Sequence, residues 1–192
     1  ESDLALASLA PALLVQGDAA VHLAPETQRE GRGQAVMAAE DGNFFQHGGV
    51  DIQGVMRAVV KNLAKGRKFA GGSTLTMQLA RLLDGRTTRS PVGKLTQIAA
   101  ALALERLESK DAILAAYLTL APYGGNIEGV RAASLAWFGK EPARLTAAEA
   151  ALLVALPQAP EARRPDRHPE AVRLARDRVL TRAAESGVIS AD

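Results

Sequence analysis

The chain has 192 residues, enough for one domain or one with a small appendage, and 47% of them are hydrophobic against 23% charged, so it can bury a core and is not a disordered segment. It has no cysteine, which excludes a disulfide framework, a thiolate nucleophile and a cysteine-ligated metal; the three histidines, His22, His47 and His168, are too scattered for a zinc site. The net charge of +2 hides a one-signed block: residues 52–94 hold nine basic side chains and one acid, Asp84, a local +8 that points to an anionic partner such as phosphate, nucleic acid or an acidic membrane.

In chain order, residues 1–32 form a lead-in whose short apolar runs and prolines assign to no clear element. The chain starts with Glu1 rather than Met, so an excised or processed piece is expected. Leu4 to Val15 is too short, and too interrupted at Pro11, to be a membrane span. From Gly33 the pattern is helical. Residues 33–41 predict a short helix carrying Glu40. Asp51 can cap the next helix, where Ile52, Val55, Val59 and Leu63 share one face and Arg57, Lys61 and Lys65 the other, up to Gly66. Ser73 or Thr74 can cap a helix through Leu83. Ser90-Pro91 opens a long apolar helix to about Glu108, and Ser109 another through Leu120. The run Pro122-Tyr123-Gly124-Gly125-Asn126 breaks the chain. A helix is predicted from Glu128 to Phe138, closed by Gly139. Thr146 and Glu149 form a capping box ahead of Ala150 to Leu156, and Pro169 starts a last helix ending near Gly187. Strand signals are sparse.

Three clusters could carry chemistry. In the first, from Glu40 to Asp51, Glu40 sits at the end of a predicted apolar helix. The negative end of the helix dipole and partial burial both disfavour its ionised form, raising its pKa toward that of a general base. Position alone leaves an exposed helix-end acid as the commoner outcome. Asp41 reads as a loop organiser, His47 as a loop hydrogen-bonder or proton carrier, and Phe44 as core. The second cluster, Gly71-Gly72-Ser73-Thr74 followed by a helix, lets backbone approach an anion at a helix start, with Thr74, Gln78 and Arg81 on one face. A plain loop with a capped helix fits it as well. It is not the nucleotide phosphate loop, because the Gly-Lys-Ser/Thr ending is missing. In the third, Arg89 and Lys94 put cations near a helix start, where they oppose the dipole, and Gln97 follows Lys94 by one turn.

Taken together and in this order, the clusters resemble the glycosyltransferase domain of class A penicillin-binding proteins. The first motif is matched by Glu40, Asp41, Phe44, His47, Gly49 and Asp51, and the second by Gly72, Ser73, Thr74, Thr76 and Gln78, with Arg81 where lysine is usual. The third is matched by Arg89, Lys94 and Glu105, the fourth by Lys110, Ile113, Leu114, Tyr117, Leu118, Gly124 and Gly129-Val130, and the fifth by Ala136 to Lys140, Leu145-Thr146 and Glu149-Ala150. The likeness runs from about Gly33 to Leu180. Departures are Gln97 where the family commonly has a second glutamate, Met77 and Thr119, and the variants look like the type 1C subgroup.

The resemblance implies a mainly α, lysozyme-like fold with little or no β structure, occupying residues 33–192. It implies polymerisation of lipid II, with Glu40 as the base and Ser73, Thr74, Gln78, Arg81, Arg89, Lys94 and Gln97 around the diphosphate; Asp41, Phe44, His47 and Glu105 would support them. No cofactor is required, with room for Mg or Mn to assist. Expected partners are lipid II, the growing lipid-linked glycan strand, the outer face of the bacterial inner membrane and a C-terminal transpeptidase domain. The anchor would lie outside this chain. Competing readings are a non-catalytic lipid II-binding module, a glycan-cleaving lysozyme or lytic transglycosylase, and a helical nucleic-acid binder; the last leaves Glu40 and Gly-Gly-Ser-Thr without a role, so no nucleic acid is expected.

Overall fold

The computed structural model describes residues 41–54, 56, 72–85, 90–187 and 189. The lead-in, the predicted helix before Asp41 with Glu40 in it, the basic run from Arg57 to Phe69, and Arg89 lie outside these residues. Within them the protein is helical: a 3-10 turn at Phe44–Gln46, then α1 (Leu75–Asp84), α2 (Pro91–Leu107), α3 (Lys110–Leu120), α4 (Val130–Phe138), a second 3-10 turn at Pro142–Arg144, α5 (Ala147–Ala155) and α6 (Pro169–Glu185). The described β structure is an isolated antiparallel bridge, Pro122 to Glu128, which bears out a mainly α architecture.

The helix starts follow local chemistry. Thr74, Ser90, Ser109 and Thr146 each accept a backbone N–H of the first turn through the side-chain oxygen, filling donors that a helix start leaves unpaired. The capping box at Thr146 closes in both directions, with the Glu149 carboxylate accepting the Thr146 N–H at 2.8 Å. The Glu149 carboxylate also takes a hydrogen bond from Lys140; that bond, reinforced by the Thr146 backbone, lowers its pKa to about 2. Helix α4 begins at Val130, two residues later than the sequence suggests. Glu128 is held extended by the bridge, and Gly129 (φ +83°) makes the turn with its Cα pressed against the Thr119 carbonyl, where a Cβ would sit at 2.8 Å.

The core forms around α1 and α3. Residues 113–118 of α3 are all buried, as expected of a helix that is apolar on every side. Leu75 and Leu79 of α1 are fully buried against Phe44, Leu104, Leu114 and Tyr117. Truncating either leucine to alanine removes about 2–5 kcal/mol. A second cluster joins α5 to α6 through Ala151, Val154, Ala155, Ala175 and Val179, small side chains that let the two helices lie close.

Helix α1 presents its N-terminus to the loop of residues 41–51, and Gly49 is where that loop meets α2. Gly49 has φ +89°, and a Cβ there would lie 2.9 Å from the Ala101 carbonyl oxygen and 3.2 Å from Glu105 Cγ. Backbone strain and a contact with backbone that cannot yield add, so Gly49→Ala should cost roughly 2–4 kcal/mol. Urea unfolding checks this; a loss below about 1 kcal/mol would show that the loop can be reseated on α2.

Candidate functional site

The site is assembled on the N-terminus of α1. Asp41, the residue after Glu40, accepts the backbone N–H of Leu75 at 3.0 Å and the Nε2–H of His47 at 2.9 Å. Its side chain is 4% exposed and that of His47 8%, so each removes the other's desolvation cost. The pairing places a proton on Nε2, facing the carboxylate, and Nδ1 is buried without a partner among the described residues. Asp51 secures the far end of the loop. It accepts from Asn43 Nδ2 at 3.0 Å and, through its other oxygen, caps the helical stub at 52–54 by accepting the Gly54 N–H at 2.8 Å. Phe44 is buried beneath the loop, edge-on to Phe45, with the Lys110 ammonium 4.4 Å from its ring centre.

The second cluster is stitched to the first. Thr74 Oγ1 donates to the Gly49 carbonyl at 2.7 Å and accepts from the Met77 N–H at 3.2 Å, at 3% exposure. The one hydroxyl hydrogen of Thr74, a residue expected at the diphosphate, is committed to the backbone of the neighbouring loop. Thr76, two residues on, donates to Glu105 Oε1 at 2.5 Å, and Lys110 pairs with the same oxygen at 2.6 Å. Glu105 therefore ties α1, α2 and α3 together, a supporting position. Gln78 accepts from the Tyr117 hydroxyl at 3.2 Å. That contact spans 39 positions and gives no local signal in the sequence.

The third cluster closes on the second. Lys94 of α2 donates to Ser73 Oγ at 2.6 Å and to Gln97 Oε1 at 2.9 Å, and Gln97 Nε2 donates to the Met77 carbonyl at 2.6 Å. Burial, and secondarily the charge of Arg81, push the Lys94 pKa below the ordinary lysine value. An anion arriving there would relieve both causes. Arg81 is exposed in the last turn of α1.

The described site residues thus converge. The 41–51 loop, the Ser73-Thr74 turn and the Lys94-Gln97 turn form one hydrogen-bonded surface around the start of α1. Among the described residues, no three His, Asp or Glu side chains gather as a metal site, and no helix is long and apolar enough to cross a membrane.

A helical domain in which a lysine in the first turn of α2 is joined by hydrogen bonds to the turn that opens α1 fits the class of a glycosyl-transferring enzyme. The family model described as Transglycosylase matches residues 24–184, starting inside the segment read from sequence as a lead-in. Penicillin-binding protein 1C of Escherichia coli is 49% identical over 157 residues, 82% of this chain and 20% of that protein. Penicillin-binding protein 1F of Bacillus subtilis is 38% identical over 82% of the chain and 22% of its own length. For penicillin-binding protein 1A of Aquifex aeolicus the figures are 40%, 81% and 22%. The chain belongs to the transglycosylase family and is a peptidoglycan glycosyltransferase domain of the penicillin-binding protein kind. It spans about a fifth of the length of the curated relatives it matches.

Proposed function

We propose that the chain polymerises lipid II into β-1,4-linked glycan at the periplasmic face of the bacterial inner membrane. Glu40 takes the proton from the acceptor 4-hydroxyl, whose oxygen attacks the donor anomeric carbon from the face opposite the diphosphate. The anomeric carbon–oxygen bond breaks with inversion, and its electron pair leaves on undecaprenyl diphosphate. Lys94, Arg81 and Arg89 take up the charge, with Ser73 and Gln78 as hydrogen-bonding neighbours. Thr74 shapes the turn from within, Gln97 holds Lys94, and Asp41, Phe44, His47 and Glu105 support the loop. The protein's own cations carry the leaving-group charge, and no step is routed through Mg or Mn. A transpeptidase domain further along the parent chain would cross-link the product.

The observation that supports this reading best is the stitching of Asp41, covalent neighbour of Glu40, to Leu75, only two residues beyond the Ser73 that holds Lys94. The residue next to Glu40 in the chain and the Lys94 cation are thereby tied to one turn. Labelled lipid II incubated with the protein should yield polymer, and moenomycin should stop it. Muropeptides released from finished polymer would instead indicate a cleaving enzyme, and lipid II binding without turnover a carrier module; either result overturns the proposal.

A further inference from the structure

The Lys110–Glu105 ion pair meets the loop that follows Glu40 near both of its ends, and meets α1 between them. Lys110 Nζ is 2.6 Å from Glu105 Oε1, with the two side chains 20% and 8% exposed. The same ammonium lies 4.4 Å from the centre of the buried Phe44 ring. Glu105 Cγ is so close to Gly49 that a Cβ there would be 3.2 Å away. Glu105 Oε1 also accepts from Thr76, the chain neighbour of Leu75, whose N–H holds the Asp41 carboxylate. Phe44 in turn donates its backbone N–H to the Asp41 carbonyl at 2.9 Å. The two backbone N–H groups that grip Asp41 therefore belong to residues set directly against this pair or beside its partner.

Neither helix chemistry nor stability accounts for a cation at this position. Lys110 is the first residue of α3, where a positive charge opposes the helix dipole. The cost of taking two charges out of water offsets most of their attraction, and neutral side chains of similar shape often hold a fold as well. What the charges supply is direction. Apolar burial is non-directional, whereas the carboxylate fixes the ammonium and the ammonium fixes the ring face it meets.

We propose that Lys110 is a positioning residue for glycosyl transfer: pinned by Glu105, its ammonium holds the Phe44 ring, and through it the start of the loop that follows Glu40. The inference rests on reading Glu40 as the base. Lys110 acts through Phe44 and Asp41 rather than on the substrate.

The test is the paired replacement Glu105→Gln with Lys110→Met in the full chain. The amide still accepts from Thr76, and the thioether keeps the length of the stem and packs on the ring, so the melting temperature should stay near that of the wild type. The kcat of lipid II polymerisation should fall roughly tenfold to a hundredfold with KM unchanged, because a small misplacement of a reacting group costs that much. Hydrogen exchange should quicken at the Phe44 and Leu75 amides and not in α5 or α6. Lys110→Arg, which keeps the charge and can stack on the ring, should keep most of the turnover. Turnover that does not move, a loss carried by KM, or a loss with both amides exchanging as in the wild type overturns the proposal. Should the paired variant not fold, Phe44→Leu, which removes the ring and keeps apolar bulk, decides by the same two readouts. Polymerisation by the wild type separates the two ideas. No polymer, together with faster exchange in the paired variant, would refute the proposed function and uphold the brace; polymer with unchanged exchange would leave the function standing and overturn the brace.

Discussion

Replacing Glu40 by glutamine should lower lipid II polymerisation by roughly 10²- to 10⁴-fold while leaving lipid II binding near the wild-type level. The amide keeps the size and hydrogen-bonding reach of the carboxylate and loses the capacity to take a proton. The loss should therefore fall on turnover and spare the affinity for substrate. The neighbouring acids are poor substitutes. Asp41 is committed to Leu75 and His47, and Glu105 to Thr76 and Lys110. Single-turnover assays with labelled lipid II, paired with a binding measurement, separate the two effects. Polymerisation within about threefold of wild type would reject Glu40 as the base and send the search to another acceptor.

The second large effect belongs to Asp41. Asp41→Ala strands a buried backbone N–H at the start of α1 and leaves His47, already lacking a partner at Nδ1, without one at Nε2 either. Each buried donor left unsatisfied costs about 1–3 kcal/mol, so stranding two should cost roughly 2–6 kcal/mol. For a domain of this size that lowers the melting temperature by on the order of 10 °C. Turnover should drop as well, below the melting temperature, because the chain carrying Glu40 loses its tether to α1. Circular dichroism melts give the first quantity and polymerisation at low temperature the second. The double change Asp41→Ala with His47→Ala should cost less than the sum of the single changes, because the histidine has no function in the loop once the carboxylate is gone. Strict additivity would show that the two side chains do not act as a unit.

Several features were legible in the residues because their physics is local. Thr74, Ser90, Ser109 and Thr146 announce helix starts, since a cap needs only a short side-chain oxygen two or three residues ahead of a free N–H. Asp51 as a cap, Phe44 as core, and Asp41 with His47 as organisers of a loop were readable in the same way. The ordered motifs carried the family, and the Transglycosylase match agrees with them. Where sequence and structure part, a distant contact intervened. Glu128 was drawn into a bridge with Pro122 and so lost to α4, and the Thr74 hydroxyl found its acceptor at Gly49, 25 positions away.

The residues by themselves determined a helical domain, its helix starts, its basic stretch and the family to which it belongs, because periodicity, capping and motif order are properties of neighbours along the chain. Only the tertiary structure decided which of the motif side chains face inward and which distant partners they meet. Thr74, Glu105 and Gln97 look alike on paper as polar members of a site. The packing of α1 against α2 and α3 turns the first into a stitch, the second into a brace and the third into a neutral clamp on Lys94, since each acquires its partner from a stretch of chain twenty or more residues away.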